Sequence, residues 1–386
     1  MGSGMKQVPI SIMREVSKPV NGMIAPTLHN NHNKLLGLEV IRFVSALSVL
    51  VWHYQHFFYR ADKPTDFVRE HQPLYSFFGF FYDYGYNGVQ VFWCISGFIF
   101  FWKYRYAIAE KIINAKSFFV LRFSRLYPLH LVTLLLVALL QSIYFFYKNF
   151  YFVYQNNNVK HFLLQLFLAS SWGFEKGASF NGPIWSISVE ILIYLFFFII
   201  LRYIGSSLFI NIAVVFLCVI AKLADFSNSI FDCLAFFYVG GLSAIALQYF
   251  EKTKYQNVLR AFTLCFVVLF PLVVFIDNMY QNQYFAYFFL ILYVPNLLYL
   301  GAQNVAVHPV MQKIIEAVGN MTYSSYLIHF PLQLIIALYC LWTQQAIPRH
   351  STLFFAGFML GTLVVSYYVY RFFEMPVQAS IRKRFR

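Results

Sequence analysis

Charged residues are few in this chain, and acidic residues are the fewest. Asp, Glu, Lys and Arg make up 11% of the 386 residues, and Lys and Arg outnumber Asp and Glu by 29 to 15. Hydrophobic residues reach 60% and aromatic residues 21%. This composition excludes a soluble globular domain, in which about 25% of residues are charged, and is typical of a protein embedded in lipid.

Cysteine is also sparse, and it follows no pairing or metal-binding pattern. The five cysteines stand singly inside apolar runs, without a Cys-x-x-Cys spacing. We therefore expect free buried thiols rather than disulfides or metal ligands. The first 33 residues lack the apolar core of a cleavable signal peptide. We interpret 1–33 as a cytoplasmic N-terminal tail, of which 1–4 (MGSG) resemble an expression scar.

Long apolar runs are abundant, and ten of them are candidate membrane-spanning helices, which need about 20 apolar residues each. The predicted spans are 35–59, 85–106, 126–147, 184–203, 207–224, 229–249, 258–276, 283–301, 322–343 and 352–373. The less apolar segments 107–124 and 159–172 are predicted to lie at the membrane interface or to be re-entrant. Gly97, Gly240 and Gly241 are expected to be close contacts between helices.

The predicted fold class is therefore all-α: a polytopic membrane protein of about ten transmembrane helices. The transmembrane domain covers 34–376, and a basic cytoplasmic C-terminal tail covers 377–386. With the N-terminus in the cytoplasm, twenty Lys and Arg fall in cytoplasmic segments and eight outside, while Arg42 lies within the first span. This asymmetry follows the positive-inside rule. It accounts for the net charge of +14 without a nucleic-acid partner and indicates that both termini are cytoplasmic.

The first span carries ionisable residues where they are costly. Glu39, Arg42 and His53 lie in an otherwise apolar run, although a charge at mid-membrane costs about 2.5–3.5 kcal/mol on insertion scales and by default marks a functional interior. The eleven-residue spacing places Arg42 and His53 on one helix face, about 16 Å apart. Two structural alternatives stay open: an i,i+3 ion pair between Glu39 and Arg42, and an interfacial location for His53.

Further polar residues fall inside other predicted spans, and we expect them to converge with His53 on one cavity. They are Ser96, Trp185, Ser186, Glu190, Tyr326 and His329. His53 is the expected partner of a buried Glu190. The structural alternatives are an interhelical hydrogen bond for Glu190 and a packing role for His329.

Arg122 and Arg125 lie at i,i+3 on one helix face, just cytoplasmic of the third predicted span. Each guanidinium offers a planar fork of donors, which suits phosphate groups. The pair therefore indicates a site for a phosphorylated ligand, and topology alone is the alternative explanation.

These segments, in this order, resemble the motifs of the membrane acyltransferase-3 family, which includes bacterial O-antigen and peptidoglycan O-acetyltransferases. The resemblance covers about 35–376. The similar segments are Arg42-x10-His53, GVQVFWCISGF at 88–98, Arg122-Phe-Ser-Arg125, Trp185-Ser-Ile-x-x-Glu190, GNMTYSSYLIHFP at 319–331, with Thr322 where the family usually has Ser, and Glu374-Met-Pro376.

The resemblance implies an integral-membrane O-acyltransferase with a transmembrane acyltransferase bundle, in the bacterial cytoplasmic (inner) membrane and in contact with its lipids. It implies transfer of acetyl from cytoplasmic acetyl-CoA to a sugar hydroxyl of a glycan or lipid-linked glycan, such as lipopolysaccharide O-antigen, without a metal.

Residue types and resemblance together suggest a mechanism. Arg122, Arg125 and Arg42 would hold the phosphates of acetyl-CoA. His53 would act as general base, and Glu190 would orient it or balance its charge. Candidates for contact with the sugar or the oxyanion are Ser96, Trp185, Ser186, Tyr326 and His329. Direct transfer and a transient acyl-histidine are both compatible with these residues. Buried Arg, Glu and His are equally typical of a proton-coupled transporter or a lipid-linked sugar flippase, and a structural or sensory membrane protein is a third class.

Overall fold

The structure is a computed structural model that describes residues 35–251, 253–276 and 283–385. The tail predicted at 1–33 lies outside these residues. Besides helices, the described chain contains a two-residue antiparallel hairpin, β1 (Tyr59–Arg60) with β2 (Lys63–Pro64).

Fourteen α-helices form in the described ranges. They are α1 (Leu36–His53), α2 (Tyr75–Tyr84), α3 (Gly88–Ala109), α4 (Ala115–Lys148), α5 (Val159–Leu166), α6 (Ile184–Ile199), α7 (Leu208–Leu223), α8 (Ser229–Phe250), α9 (Gln256–Ile276), α10 (Gln283–Gly301), α11 (Pro309–Asn320), α12 (Thr322–Trp342), α13 (Thr352–Val369) and α14 (Met375–Arg384). Two helices continue through a π-helical turn, α6 through Ile200–Ile204 and α13 through Tyr370–Glu374 into α14.

All ten predicted spans are helical, which confirms an all-α, multi-pass membrane bundle. Among the described residues, eight helices are long and apolar enough to cross a membrane. The other two predicted spans are α3, with 22 residues, and α7, with 16. Many large apolar side chains on these helices are exposed, among them Phe209, Phe216 and Leu353, as expected for surfaces that face lipid rather than water.

The helix that carries the two arginines is longer than predicted. We expected 107–124 to be a separate interfacial piece, but α4 runs without interruption from Ala115 to Lys148. The Asn114 side chain accepts a hydrogen bond from the Ser117 backbone N–H and caps the helix start. Pro128 lies inside the helix. Arg122 and Arg125 therefore project from an extension of a membrane-spanning helix.

Several short helices lie between the spans. The α5 helix falls within the segment predicted at 159–172, and Asn158 caps it. The amphipathic α11 was not predicted; the His308 side chain caps it, and Pro309 occupies its first turn. Residues 377–384, predicted as part of a tail, belong to α14, where Arg382 donates to the Ser124 hydroxyl on α4.

Glycines allow α3 and α8 to cross at close range. A Cβ on Gly97 would lie 1.8 Å from the Phe237 carbonyl oxygen, and one on Gly240 would lie 2.0 Å from the Cys94 carbonyl oxygen. A Cβ on Gly241 would lie 2.3 Å from the Phe101 ring. The expected close contacts are confirmed, because these backbones touch where any side chain would intrude.

All five cysteines are free, as predicted. Four are buried. Cys265 on α9 is exposed, so the prediction of burial is wrong for that residue, since α9 turns much of its surface away from the bundle.

The α1 helix lies against α3, α10, α11 and α12. Gly37 of α1 contacts Gly301 of α10, and the Ser48 carbonyl of α1 contacts Gly85, which lies just before α3. The Gln333 side chain of α12 donates to the His53 carbonyl oxygen. We call the end of the bundle where α1 begins the Leu36 end, and the end where α1 finishes the His53 end. The polar residues of α1 therefore point into the bundle.

Candidate functional site

Three buried histidines gather at the His53 end. The ring centroid of His53 lies 4.7 Å from that of His329 on α12 and 4.9 Å from that of His56. Their exposed fractions are 7%, 0% and 3%, respectively. The structure thus brings together His53 and His329, which are far apart in sequence. His56 was not predicted as a site residue.

Backbone hydrogen bonds fix the tautomers of His53 and His329. The Nδ1 of His53 lies 2.8 Å from the Val49 carbonyl oxygen, and the Nδ1 of His329 lies 3.2 Å from the Ser325 carbonyl oxygen. A carbonyl only accepts, so Nδ1 carries the hydrogen in both rings. Each Nε2 is then the basic nitrogen, and that of His329 is buried without a hydrogen-bond partner among the described residues.

His56 is held differently, by groups from two other elements. Its Nδ1 lies 3.0 Å from the Gln333 side-chain oxygen, and its Nε2 lies 3.4 Å from the Tyr154 hydroxyl. Gln333 also donates to the His53 carbonyl. Although three imidazoles meet here, no group of three or more His, Cys, Asp or Glu in the described part of the chain is arranged to hold a metal ion.

Tyr326 and Ser186, both predicted site residues, are hydrogen bonded to each other. Their hydroxyl oxygens are 2.8 Å apart, and the Tyr326 ring centroid lies 6.1 Å from that of His329. Trp185 precedes Ser186 on α6 and packs edge-to-face against Trp93 at 5.7 Å. Two hydroxyl groups therefore lie next to the histidine pair.

Glu190 does not pair with His53 as expected. Its carboxylate accepts a hydrogen bond of 2.7 Å from Tyr194, which is one helical turn away on α6, and the Tyr194 hydroxyl lies 3.0 Å from that of Ser96. The charges of Arg125, Arg122 and Arg42 act on Glu190. The expected pairing is therefore wrong, because Glu190 and Ser96 lie on the arginine side of the site.

The predicted structural ion pair of α1 is present. Arg42 Nη1 lies 2.7 Å from the Glu39 carboxylate, and Arg42 is 7% exposed. The Arg42 charge also interacts with those of Arg125 and Glu190. The Glu39–Arg42 pair is therefore part of a larger charged group. We call Arg42, Arg122 and Arg125 the arginine cluster.

Arg122 is enclosed by aromatic rings. Its guanidinium carbon lies 4.4 Å from the Phe100 ring centroid and 4.9 Å from that of Tyr104. It also donates a 2.5 Å hydrogen bond to the Tyr104 hydroxyl. Such cation–π contacts hold the side chain in one orientation. Arg125, in contrast, makes no hydrogen bond to another described residue, so its donors are available to a ligand.

Two further acidic and hydroxyl residues complete this cluster. Glu374, in the π-helical turn before α14, is 7% exposed and accepts a 2.6 Å hydrogen bond from the Ser324 hydroxyl. The Arg125 charge acts on this carboxylate too. From the sequence, Glu374 was recognised only as part of the Glu374-Met-Pro376 motif, because the π-helical turn that positions it is not visible in the sequence, although such turns often occur at functional sites.

A cavity of about 270 Å³ adjoins Trp185. It lies between the segment that follows α5 and the start of α6. Its polar lining residues include Gln165, Ser170, Ser171, Glu175 and Ser179. Tyr154, which contacts His56, packs its ring against Gly182 at the same cavity. Two series of side-chain contacts thus connect the cavity with His53, His56 and His329, which we call the histidine cluster. One passes through Tyr154, and the other passes through Ser186 and Tyr326.

Comparison with known proteins bears on what these two clusters do. The model of the acyltransferase-3 family, described as an acyltransferase domain, matches residues 35–371, which include every site residue named above except Glu374. No curated protein and no solved structure matches the chain.

Proposed function

The chain belongs to the acyltransferase-3 family of membrane proteins, and from this premise we propose that it is an O-acetyltransferase. It takes acetyl from acetyl-CoA and transfers it to a sugar hydroxyl of a bacterial surface glycan, such as lipopolysaccharide O-antigen. The observation that carries this proposal is the buried His53–His329 pair. It lies between an arginine cluster suited to phosphates and a polar cavity beside Trp185.

The donor phosphates bind at the arginine cluster. Arg125 makes no hydrogen bond within the described part of the chain, and Arg42 lies close enough for their charges to interact. Arg122 is held on Phe100 and Tyr104, so it contributes mainly positive charge and shape. Glu190 and Glu374 balance the arginine charges, which lowers the cost of keeping them buried before the donor arrives. Glu190 is thus a positioning residue rather than a partner of His53.

The chemical step takes place at the histidine pair. The Nε2 of His53 accepts the proton of the sugar hydroxyl, and the sugar oxygen attacks the thioester carbonyl carbon. When the carbon–sulfur bond breaks, the sulfur of CoA takes this proton back. In between, the Val49 carbonyl oxygen accepts from Nδ1–H of the His53 imidazolium at 2.8 Å, the position that a carboxylate takes in other catalytic histidine sites. His329, whose ring centroid lies 4.7 Å away, is the second basic group beside the proton on His53 Nε2. The Tyr326 hydroxyl donates to the Pro183 carbonyl oxygen at 2.8 Å, and the Ser186 hydroxyl donates to Tyr326. A rotation of either hydroxyl away from its partner lets it donate to the oxyanion.

Orientation follows from the distribution of Lys and Arg. The Leu36 end faces the cytoplasm of a bacterial inner membrane, where acetyl-CoA is found, and both termini are cytoplasmic. The His53 end faces outward, where the glycan or lipid-linked glycan is presented. The distance of about 16 Å between Arg42 and His53 along α1 is then spanned by the pantetheine arm.

The test is acetyl transfer by His53→Ala. Purified protein is given radiolabelled acetyl-CoA and de-O-acetylated surface glycan from the bacterium that encodes the chain. We expect a loss of at least about 10²-fold, with an unchanged unfolding temperature in detergent. His350→Ala, at an exposed histidine of the same end that contacts Phe58, is the matched control. Activity retained by His53→Ala would refute the assignment of the base.

A further inference from the structure

We propose that the cavity beside Trp185 binds one uncharged sugar ring of the acceptor glycan. This assignment rests on the proposed function and gives its acceptor a site, defined by Gln165, Ser170, Glu175 and Trp185. The cavity lies outside the histidine and arginine clusters, and its polar atoms have no role in the chemical step.

Two buried polar atoms in the lining have no hydrogen-bond partner among the described residues. They are the side-chain oxygens of Gln165 and Ser170, whose residues are 1% and 8% exposed. The Gln165 amide nitrogen donates to the Ser179 carbonyl oxygen at 2.8 Å, which fixes the amide and leaves its oxygen as an acceptor. An unpaired buried polar atom costs about 1–3 kcal/mol. The hydroxyl groups of a sugar can both donate and accept, so they suit the Gln165 oxygen, which only accepts, and the Ser170 hydroxyl, which does both.

Trp185 supplies the apolar face that a sugar ring also needs. Its indole is fixed by the edge-to-face contact with Trp93, whose own indole nitrogen donates to the Ser186 carbonyl oxygen at 3.4 Å. Ligand sites typically combine aromatic walls with a few well-placed polar groups. In a bound pyranose, the C–H face of the ring would pack on the Trp185 indole. The hydroxyl groups at the ring edge would bond to the unpaired oxygens of Gln165 and Ser170.

The charge of the lining favours an uncharged sugar over an acidic one. Glu175 is the ionisable residue among those that line the cavity, and its carboxylate is held by the Gly173 backbone N–H at 3.0 Å. A carboxylate accepts hydrogen bonds from hydroxyl groups but repels another carboxylate. Lys160 and Lys176 act on His161 in the same segment, but neither is among the residues that line the cavity. Uronic and sialic acids should therefore be excluded.

A short series of side-chain contacts connects the cavity with His53. From Trp185 the chain leads to Ser186, which is hydrogen bonded to Tyr326 at 2.8 Å. The Tyr326 ring lies 6.1 Å from that of His329, which lies 4.7 Å from that of His53. The Ser186, Tyr326 and His329 side chains thus lie between a sugar bound at Trp185 and the base, so the hydroxyl that is acetylated belongs to a neighbouring residue or substituent of the glycan.

The experiment fills the cavity and measures two reactions of the purified full-length protein in lipid nanodiscs. Ser170→Leu places a branched side chain in the cavity, and Ser142→Leu on the exposed face of α4 is the matched control. The first readout is acetyl transfer to the de-O-acetylated glycan. The second is the slow release of thiol from acetyl-CoA without glycan. We expect Ser170→Leu to raise the half-saturating glycan concentration at least about tenfold and to leave thiol release within about twofold of wild type.

A second arm tests the charge preference. Methyl α-galactopyranoside should compete with the glycan, whereas methyl α-galacturonoside, which differs only by a carboxylate at C6, should not. In Glu175→Gln, the concentrations of the two glycosides that halve acetyl transfer to the glycan should be closer to each other than in wild type. Unchanged glycan saturation in folded Ser170→Leu, or equal competition by both glycosides in wild type, would overturn the proposal.

Failure of the proposed function gives a different pattern. Wild-type protein would then release no thiol and transfer no acetyl, and the cavity would be tested by equilibrium binding of the same glycan to wild type and Ser170→Leu. If Ser170→Leu does not fold, Ser170→Ala replaces it, with a half-saturating concentration raised about threefold. An unchanged value in Ser170→Ala would overturn the assignment of that hydroxyl.

Discussion

Replacing His329 with leucine distinguishes a functional histidine from a packing one. His329 is fully buried, and its unpaired Nε2 costs about 1–3 kcal/mol of stability. Its Nδ1 bond to the Ser325 carbonyl oxygen, at 3.2 Å, returns about 0.5–1.5 kcal/mol. Leucine is of comparable size and has neither polar atom. We therefore expect the free energy of unfolding to stay unchanged or to rise by about 1 kcal/mol.

The acetyl-transfer activity of His329→Leu, in contrast, should fall. Without the Nε2 of His329, the protonated His53 loses the second basic group, whose ring centroid lies 4.7 Å away, and acetyl transfer should fall about 10²-fold. The assay combines the unfolding temperature in detergent with initial rates at saturating acetyl-CoA and glycan. His350→Leu should change neither quantity. A lower unfolding temperature together with wild-type rates would show that His329 only packs.

Three further predictions test the arginine cluster, the helix crossing and the segment around the cavity. Arg125→Ala should raise the KM for acetyl-CoA about tenfold or more, whereas Arg260→Ala, at an exposed arginine, should not; equal KM values would remove Arg125 from the donor site. Gly240→Val should abolish the monodisperse peak in size-exclusion chromatography, because its side chain would meet the α3 backbone, whereas Gly357→Val, which has no neighbour within 4 Å, should elute normally. Burial and nearby lysines lower the pKa of His161, whose neutral Nε2 accepts from the Lys176 backbone N–H at 3.2 Å. His161 therefore takes up a proton at higher pH in the unfolded segment than in the folded one, and the free energy of unfolding of the segment should fall as the pH drops below about 6.5. Proteolysis of 150–183 should then be faster at pH 5 than at pH 7.5. Equal rates at the two pH values would contradict this.

The membrane-spanning helices were predictable from sequence, because hydrophobicity and length alone define them. The Arg42–His53 spacing was equally informative, since α1 is unbroken between the two residues. The early start of α4 had a signal that was missed, namely the capping residue Asn114. The prediction of a piece separate from the span failed there, because α4 continues from Ala115 through Arg122 to Lys148, with Arg122 packed against aromatic rings on α3.

Partners within the site were harder to predict than its members. The bond between Glu190 and Tyr194 joins residues four apart on one helix, a spacing that the sequence displays. The His56–Gln333 contact joins elements 277 positions apart, and no local pattern encodes it. The role of Glu374 depends on a π-helical turn, which residue propensities do not reveal. Long-range contacts therefore divided the predicted cavity into a histidine cluster and an arginine cluster.

The central claim is that an acetyl group leaves acetyl-CoA at His53. The most direct measurement uses sealed vesicles that contain the purified protein, with acetyl-CoA labelled in its acetyl group on one side and glycan on the other. We predict thiol release matched by label bound covalently to the glycan, and neither product with His53→Ala. Movement of acetyl-CoA or of the glycan across the membrane without a new ester bond would contradict the account and identify a transporter.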